Sequence, residues 1–387
     1  MRILDEKFED MFKNEFKGII EYVKKHDEVF LGIRHNYINL YVDGGSFLKL
    51  KYNTVLNCCT GEIDEKYFNH IEMPKGLKDI NKKVIENIQD WIDLFDELII
   101  AVRKYQRGEF EGKASKTIKR EKILQQELVK EFNLKSDYFA YDIEYSMEGV
   151  NDYILDADGA EIKINNKYRT KALGRADIML IGKPINNKIK IYCMEVKEGK
   201  GAFGGVLPNK SKQKSAPSFG SGIVGHLKNN VAIINSARSG KDLIAKKGKS
   251  RYPIRENLMK EIKYALSFYK KFNLLKNDNF KELTQEEINK LELSKKDNSV
   301  ELVFFLGNYE KDSFEKYLGI GLDSKICSAY SVKNLLNNKM KNEIDLDYLK
   351  IDDLFDFKVF KTSKNYSDNN FDLNIEKYDS ITVEDFK

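Results

Sequence analysis

Two apolar runs, residues 176–181 and 188–197, stand six residues apart, and this spacing constrains the fold more than any other feature of the chain. The connection, GKPINN, is rich in turn formers and short enough for a hairpin, so the runs are expected to be neighbouring strands. A helical pattern over 116–133 and a strand pattern over 138–147 precede them. A second helical pattern, 255–272, and a strand, 300–306, follow. The order is helix, three strands, helix, strand. It predicts an α/β domain in which a compact mixed central sheet is flanked by helices.

Upstream, Ile3, Phe8, Met11, Phe12, Phe16, Ile19, Ile20 and Val23 recur at helical spacing, predicting an amphipathic helix over about 3–25 with a break at Gly18. Residues 37–42 and 47–52 alternate around Asp43-Gly44-Gly45-Ser46, the pattern of a β-hairpin. From Asp79 to Lys104 the apolar positions Ile80, Val84, Ile88, Trp91, Phe95, Leu98 and Val102 step by three or four, which predicts one long helix with a single buried stripe. That stripe would serve as internal packing or as the seam of a homodimer or partner complex. The polar, glycine-punctuated segment 107–113 then marks a boundary. We therefore expect an α+β accessory region over 1–112, a chemical core over 113–310 and a C-terminal extension over 311–387.

The chain of 387 residues is long enough to bury a substantial apolar core. Its cysteines, Cys58, Cys59, Cys193 and Cys327, form no C-x-x-C pair, which points to reduced thiols, a cytoplasmic setting and no structural zinc. No stretch has the apolar length of a membrane span. Basic and acidic residues nearly balance, 66 against 61, so the overall charge names no partner.

Chemistry is concentrated in the two central runs. Asp177 opens an otherwise apolar stretch, where an ionised carboxylate costs several kcal/mol unless it is paired or metal-bound. Glu195 presents the same problem: Ile189, Ile191, Cys193, Glu195 and Lys197 alternate, so they are expected on one face of a strand. Two carboxylates converging from adjacent strands, with a backbone carbonyl such as that of Val196, would suit Mg²⁺, or Mn²⁺ in its place. Lys197 would then stand beside the metal-bound water, where such an ion lowers the water's pKa and neutralises charge developing on a phosphate. The bland alternative is a solvent-facing Glu/Lys pair, against which the apolar character of the rest of that face argues.

Asp177 followed by Glu195-Val196-Lys197 resembles the PD-(D/E)XK nuclease superfamily, in which an Asp on one strand precedes Glu-x-Lys on the next. The resemblance covers about 116–307. It implies a restriction-endonuclease-like αβββαβ core, with Asp177 and Glu195 as metal ligands, Lys197 as the catalytic lysine and an additional acid on the preceding helix. On that helix Ile118, Leu124, Leu128, Val129 and Phe132 form the apolar stripe. Glu121 falls near its centre and Glu127 and Glu131 at its margin, making Glu121 the candidate. Ala176 stands where the family's proline would be, and the helix 255–271 lacks the glutamine many members carry there.

Between residues 199 and 255 the chain holds twelve basic residues against the single acid Asp242, a net +11. Among them Lys200, Lys210, Lys212, Lys214, Lys246, Lys247, Lys249 and Arg251 are candidate contacts to nucleic acid, expected to be DNA, from a glycine-rich loop beside the site. Arg34 and His35 are weaker candidates for a ligand, with a polar strand edge as the simpler explanation. Beyond Asn342, twelve acids against six lysines suggest a solvated tail or one laid over the basic loop. The expected function is a metal-dependent endonuclease, in a restriction or phage-defence role. The rival is a catalytically silent protein of the same fold that binds nucleic acid.

Overall fold

The computed structural model describes residues 2–69, 71–109, 118–146, 154–155, 175–198, 234, 237–240, 243–245, 251–294, 299–308, 357–361 and 373–381. The architecture is mixed α/β with several sheets. The chain divides into two compact units, Met1–Ile143 with Lys260–Lys290, and Glu144–Met259 with Leu291–Lys387. The sequence boundaries at 112 and 310 do not coincide with this division. Among the described residues no helix is long and apolar enough to cross a membrane.

The first unit opens with α1 (Glu6–Met11), whose N-cap Asp5 accepts a hydrogen bond from Lys7 N, and continues in α2 (Lys17–Lys25). The expected break at Gly18 lies earlier, across residues 12–16. Gly18 is inside α2, where an added Cβ would come within 2.5 Å of Ile92 Cδ1, so the glycine serves close packing. Phe8, Phe12 and Phe16 are buried in an aromatic cluster with Tyr52, Phe268 and Phe272.

Four antiparallel strands follow, β1 (Phe30–Arg34), β2 (Tyr37–Val42), β3 (Gly45–Asn53) and β4 (Cys58–Glu62), in that order across the sheet. The predicted hairpin is β2–β3, with Ile38 opposite Leu50 and Leu40 opposite Leu48. Its turn is the two-residue Asp43-Gly44, both at positive φ, as a tight hairpin turn requires. Gly45 and Ser46 belong to β3, and a register shift after Leu40 takes up the extra residue.

The long helix predicted from Asp79 is three pieces: α3 (Leu77–Ile80), α4 (Gln89–Ile92) and α5 (Phe95–Arg107). Between α3 and α4 the backbone bonds to β4 instead of to itself. Lys82 N donates to Gly61 O at 2.7 Å and Ile85 N to Cys59 O at 2.8 Å. Asn81 clamps the departure, its side chain bonding both the N–H and the carbonyl of Ile63. Val84 consequently lies exposed, while Trp91, Phe95, Leu98 and Val102 keep the buried stripe. Helix α6 (Arg120–Lys135) begins later than the sequence pattern indicated and buries Ile123, Leu124, Leu128, Val129 and Phe132.

Strand β5 (Tyr138–Ser146) runs from the first unit into the second. The second unit contains β6 (Ile154–Leu155), β7 (Arg175–Gly182), β8 (Lys188–Ile189), β9 (Ile191–Glu198), β10 (Leu243–Ala245), β11 (Arg251–Tyr252), β12 (Glu292–Leu293), β13 (Val300–Gly307), β14 (Phe357–Lys361) and β15 (Asp379–Ile381). The main sheet has the order β15-β14-β13-β9-β7-β5. β7 and β9 are antiparallel, as their short connection required, and β9 and β13 are parallel. Parallel pairing needs a long crossover, and the helix Ile254–Lys271 lies within that connection. The predicted strand 188–197 is interrupted at Lys190: Ile189 sits in β8 and pairs with Leu293 of β12 in a separate two-stranded sheet.

Candidate active site

Every residue of β9 from Ile191 to Lys197 is buried. Its apolar residues explain why it lies between β13 and β7, and they carry Glu195 and Lys197 into the interior at 1% and 4% exposure. The β7–β9 register pairs Ile178 with Met194 and runs to Ile181 with Ile191. That pairing ends one step before Asp177 and Glu195, and alternation along β9 puts Glu195 and Lys197 on one face of the strand.

Asp177 Oδ2 accepts the Val196 N–H at 2.8 Å and lies 3.7 Å from Lys197 Nζ. That ammonium also donates to the Val196 carbonyl at 3.0 Å. A carboxylate oxygen and a main-chain carbonyl are thus gathered around one cationic centre, beside a second acid two residues away on the same strand. On the other side the parallel register sets Phe304 next to Glu195 and Leu306 next to Lys197, both buried. An apolar wall of this kind lowers the local dielectric and strengthens each charge interaction. Asp177 keeps 15% of its side chain accessible, which leaves an approach to the group from solvent. Cys193 precedes Glu195 on the same face, and burial, with the Glu195 charge adding, pushes its thiol up to about 12.

Glu121 lies in the first turn of α6, half-buried, where the helix N-terminus favours an acid. It belongs to the first unit, whereas Asp177, Glu195 and Lys197 belong to the second. Ile118, counted in the sequence stripe, precedes the helix and is itself half-buried. The buried face also takes in Gln125, Gln126 and Glu131.

Of the basic segment, Lys200, Lys210, Lys212, Lys214, Lys246, Lys247 and Lys249 lie outside the described residues, and Arg251 is placed by its backbone in β11. Two other cations of that segment hold the fold together. Arg255 donates to the carbonyls of Ala237, Leu293 and Ser294 at 3.0, 2.7 and 3.1 Å, and Arg238 Nε donates to Val300 O at 2.7 Å. Arg34 is not at an exposed edge: it is buried against Asp142, which also pairs with Arg2. Burial opposes the Arg34 charge, and Asp142 beside it more than compensates, holding the guanidinium protonated.

The acidic C-terminal stretch contributes structure that its charge did not reveal. β14 pairs in parallel with β13, and β15 pairs antiparallel with β14. Glu376 accepts from Lys190 Nζ at 3.0 Å and from the Tyr192 hydroxyl at 2.8 Å, fastening the stretch at the start of β9. The remainder of 343–387, including the portion that would cover the basic loop, lies outside the described residues.

Among the described residues no group of three or more His, Cys, Asp or Glu side chains is placed to hold a metal ion. Compared with family models, with curated proteins and with solved structures, the chain matches none.

Proposed function

We propose that this chain is a metal-dependent endonuclease that hydrolyses DNA phosphodiesters, with Asp177, Glu195 and Lys197 at its centre. The observation that carries the reading is the convergence of Asp177 Oδ2 and Val196 O on Lys197 Nζ, on the face that also bears Glu195. Topology supports it: β5, β7, β9 and β13 lie side by side in chain order, with β13 parallel to β9, an arrangement suited to a restriction-endonuclease-like core of the PD-(D/E)XK type.

The donor set suits Mg²⁺ or Mn²⁺. Asp177 and Glu195 offer carboxylates and Val196 a carbonyl, all hard oxygens, and two carboxylates are what such ions commonly take from a protein when phosphate and water complete the shell. When bound, the ion supplies an activated water and neutralises charge on the phosphate. Lys197 holds a proton-bearing ammonium against the reacting centre, where it orients the nucleophile or the scissile phosphate, and Phe304 and Leu306 exclude water from its flank. The lysines of 199–255 are assigned as contacts to the sugar–phosphate backbone. A restriction or phage-defence role in the cytoplasm, with the first unit recruiting a partner or a second copy, completes the proposal.

The silent reading has one observation in its favour: Lys197 already bridges Asp177 and Val196, a closed contact that is stable without a metal. Incubation with plasmid, linear duplex, single-stranded DNA and RNA, each with Mg²⁺ and with EDTA, separates the two. Cutting that EDTA abolishes is expected. Binding without cutting on every substrate would leave only the silent reading.

A further inference from the structure

In the direction of the candidate site the β7–β9 ladder stops at Ile178 with Met194. Past that pair, the next main-chain groups that β9 turns toward β7 are the N–H and carbonyl of Val196, since both groups of a residue face the same neighbouring strand. Side chains take the place of the ladder. Asp177 Oδ2 accepts the N–H at 2.8 Å, and Lys197 Nζ donates to the carbonyl at 3.0 Å. The ammonium thus lies against Val196 O and, at 3.7 Å, against Asp177 Oδ2, two of the oxygens assigned to the divalent ion. Lys197 is buried in that place and does not reach it from solvent.

Burial explains why a cation is held there. Glu195 is enclosed beside Asp177, and a carboxylate withdrawn from water is costly unless a cation accompanies it. Lys197 is a cation tethered to the same strand. A Mg²⁺ ion held by these oxygens would lie about 2 Å from each. An ammonium left where it is would then be a second cation crowded against the first, in a poorly screened setting. The two occupations exclude one another. The flexible four-carbon stem of lysine lets the ammonium swing clear without moving the strand.

We propose that Lys197 is a tethered counter-cation that closes the empty site and must leave Val196 O and Asp177 before a divalent ion enters. Its released ammonium then meets the incoming phosphate. The proposal rests on the metal-dependent reading and deepens it by giving the site two states, closed by the lysine or opened by the ion.

Two measurements on the full chain, both without nucleic acid, test it. In the first, Mn²⁺ binding is followed by the electron paramagnetic resonance of the free ion. Lys197→Met, which keeps an unbranched stem and removes the charge, is expected to bind roughly tenfold tighter than wild type. Lys197→Arg should bind no tighter than wild type, and Asp177→Asn should lose binding, which assigns the ion to this site. The second needs no variant to fold. Wild-type protein is acetylated with an N-hydroxysuccinimide ester and its peptides are weighed. Lys197 is expected to be modified several-fold faster with Mn²⁺ than without. A folded Lys197→Met variant that binds Mn²⁺ no tighter than wild type overturns the proposal, as does labelling that Mn²⁺ leaves unchanged or slows. Either result alongside Mg²⁺-dependent cutting removes the lysine closure alone and leaves the nuclease. Tighter binding by Lys197→Met in a chain that cuts no substrate keeps the closure and removes the nuclease.

Discussion

Residues with unusual environments give the sharpest expectations. Burial pushes the thiols of Cys59 and Cys193 up to about 12, so both stay protonated and shielded, whereas Cys58 is part-exposed. In a Cys327→Ser background, Cys58 is therefore expected to be the one thiol that a thiolate reagent labels in the folded protein, with Cys59 and Cys193 labelling only on unfolding; a mass spectrum of the native reaction checks this. Burial raises the carboxyl of Glu127, Lys130 opposing it and Asp43 and Glu131 adding to it. A carboxyl raised in the folded state lends stability that is complete below its unfolded value, 4.5, and lost as pH rises through the folded one. Glu127→Gln should accordingly raise Tm near pH 7, with the gain vanishing near pH 4. At this scale the sequence showed Asp177, Glu195 and Lys197 clearly, because charge inside an apolar run is visible by inspection. Arg34 was misplaced because its partner Asp142 is over a hundred residues away, and no local pattern announces such a pair.

Elements were legible where one period ran unopposed. The β2–β3 hairpin was, and the structure adds a reason for its turn residue: at Gly44, φ is 71° and a Cβ would come within 2.3 Å of the Lys122 carbonyl. Gly44→Ala is expected to cost at least about 1 kcal/mol in chemical denaturation, beyond what chain entropy alone returns. The predicted helix from Asp79 failed because Ile80, Val84 and Ile88 continue the spacing of a true helix by coincidence, while the segment between α3 and α4 gains better hydrogen bonds from β4. Asn81 and the positive φ of Lys82 mark the departure, but an asparagine beside a lysine is too common to read as a stop.

For the whole molecule, the neighbouring of β7 and β9 was readable and the completion of their sheet was not. β14 and β15 are short, lie far along the chain in an acidic stretch and pair only because β13 presents a buried edge, which local sequence does not disclose. The same holds for the unit boundaries, since β5 and the helix Ile254–Lys271 each serve both units. The proposed activity depends on β7 and β9 bringing a carboxylate pair and a lysine to one point that can hold a divalent ion and a phosphate. The most direct test is the single-turnover rate of duplex DNA cleavage in Mg²⁺ for the wild-type protein, Asp177→Asn and Lys197→Met, each first matched for its melting profile. EDTA-sensitive cutting by the wild type is expected, with a loss of roughly 100-fold or more in either folded variant. Folded variants that cut at the wild-type rate, or wild-type cutting indifferent to EDTA, would contradict it.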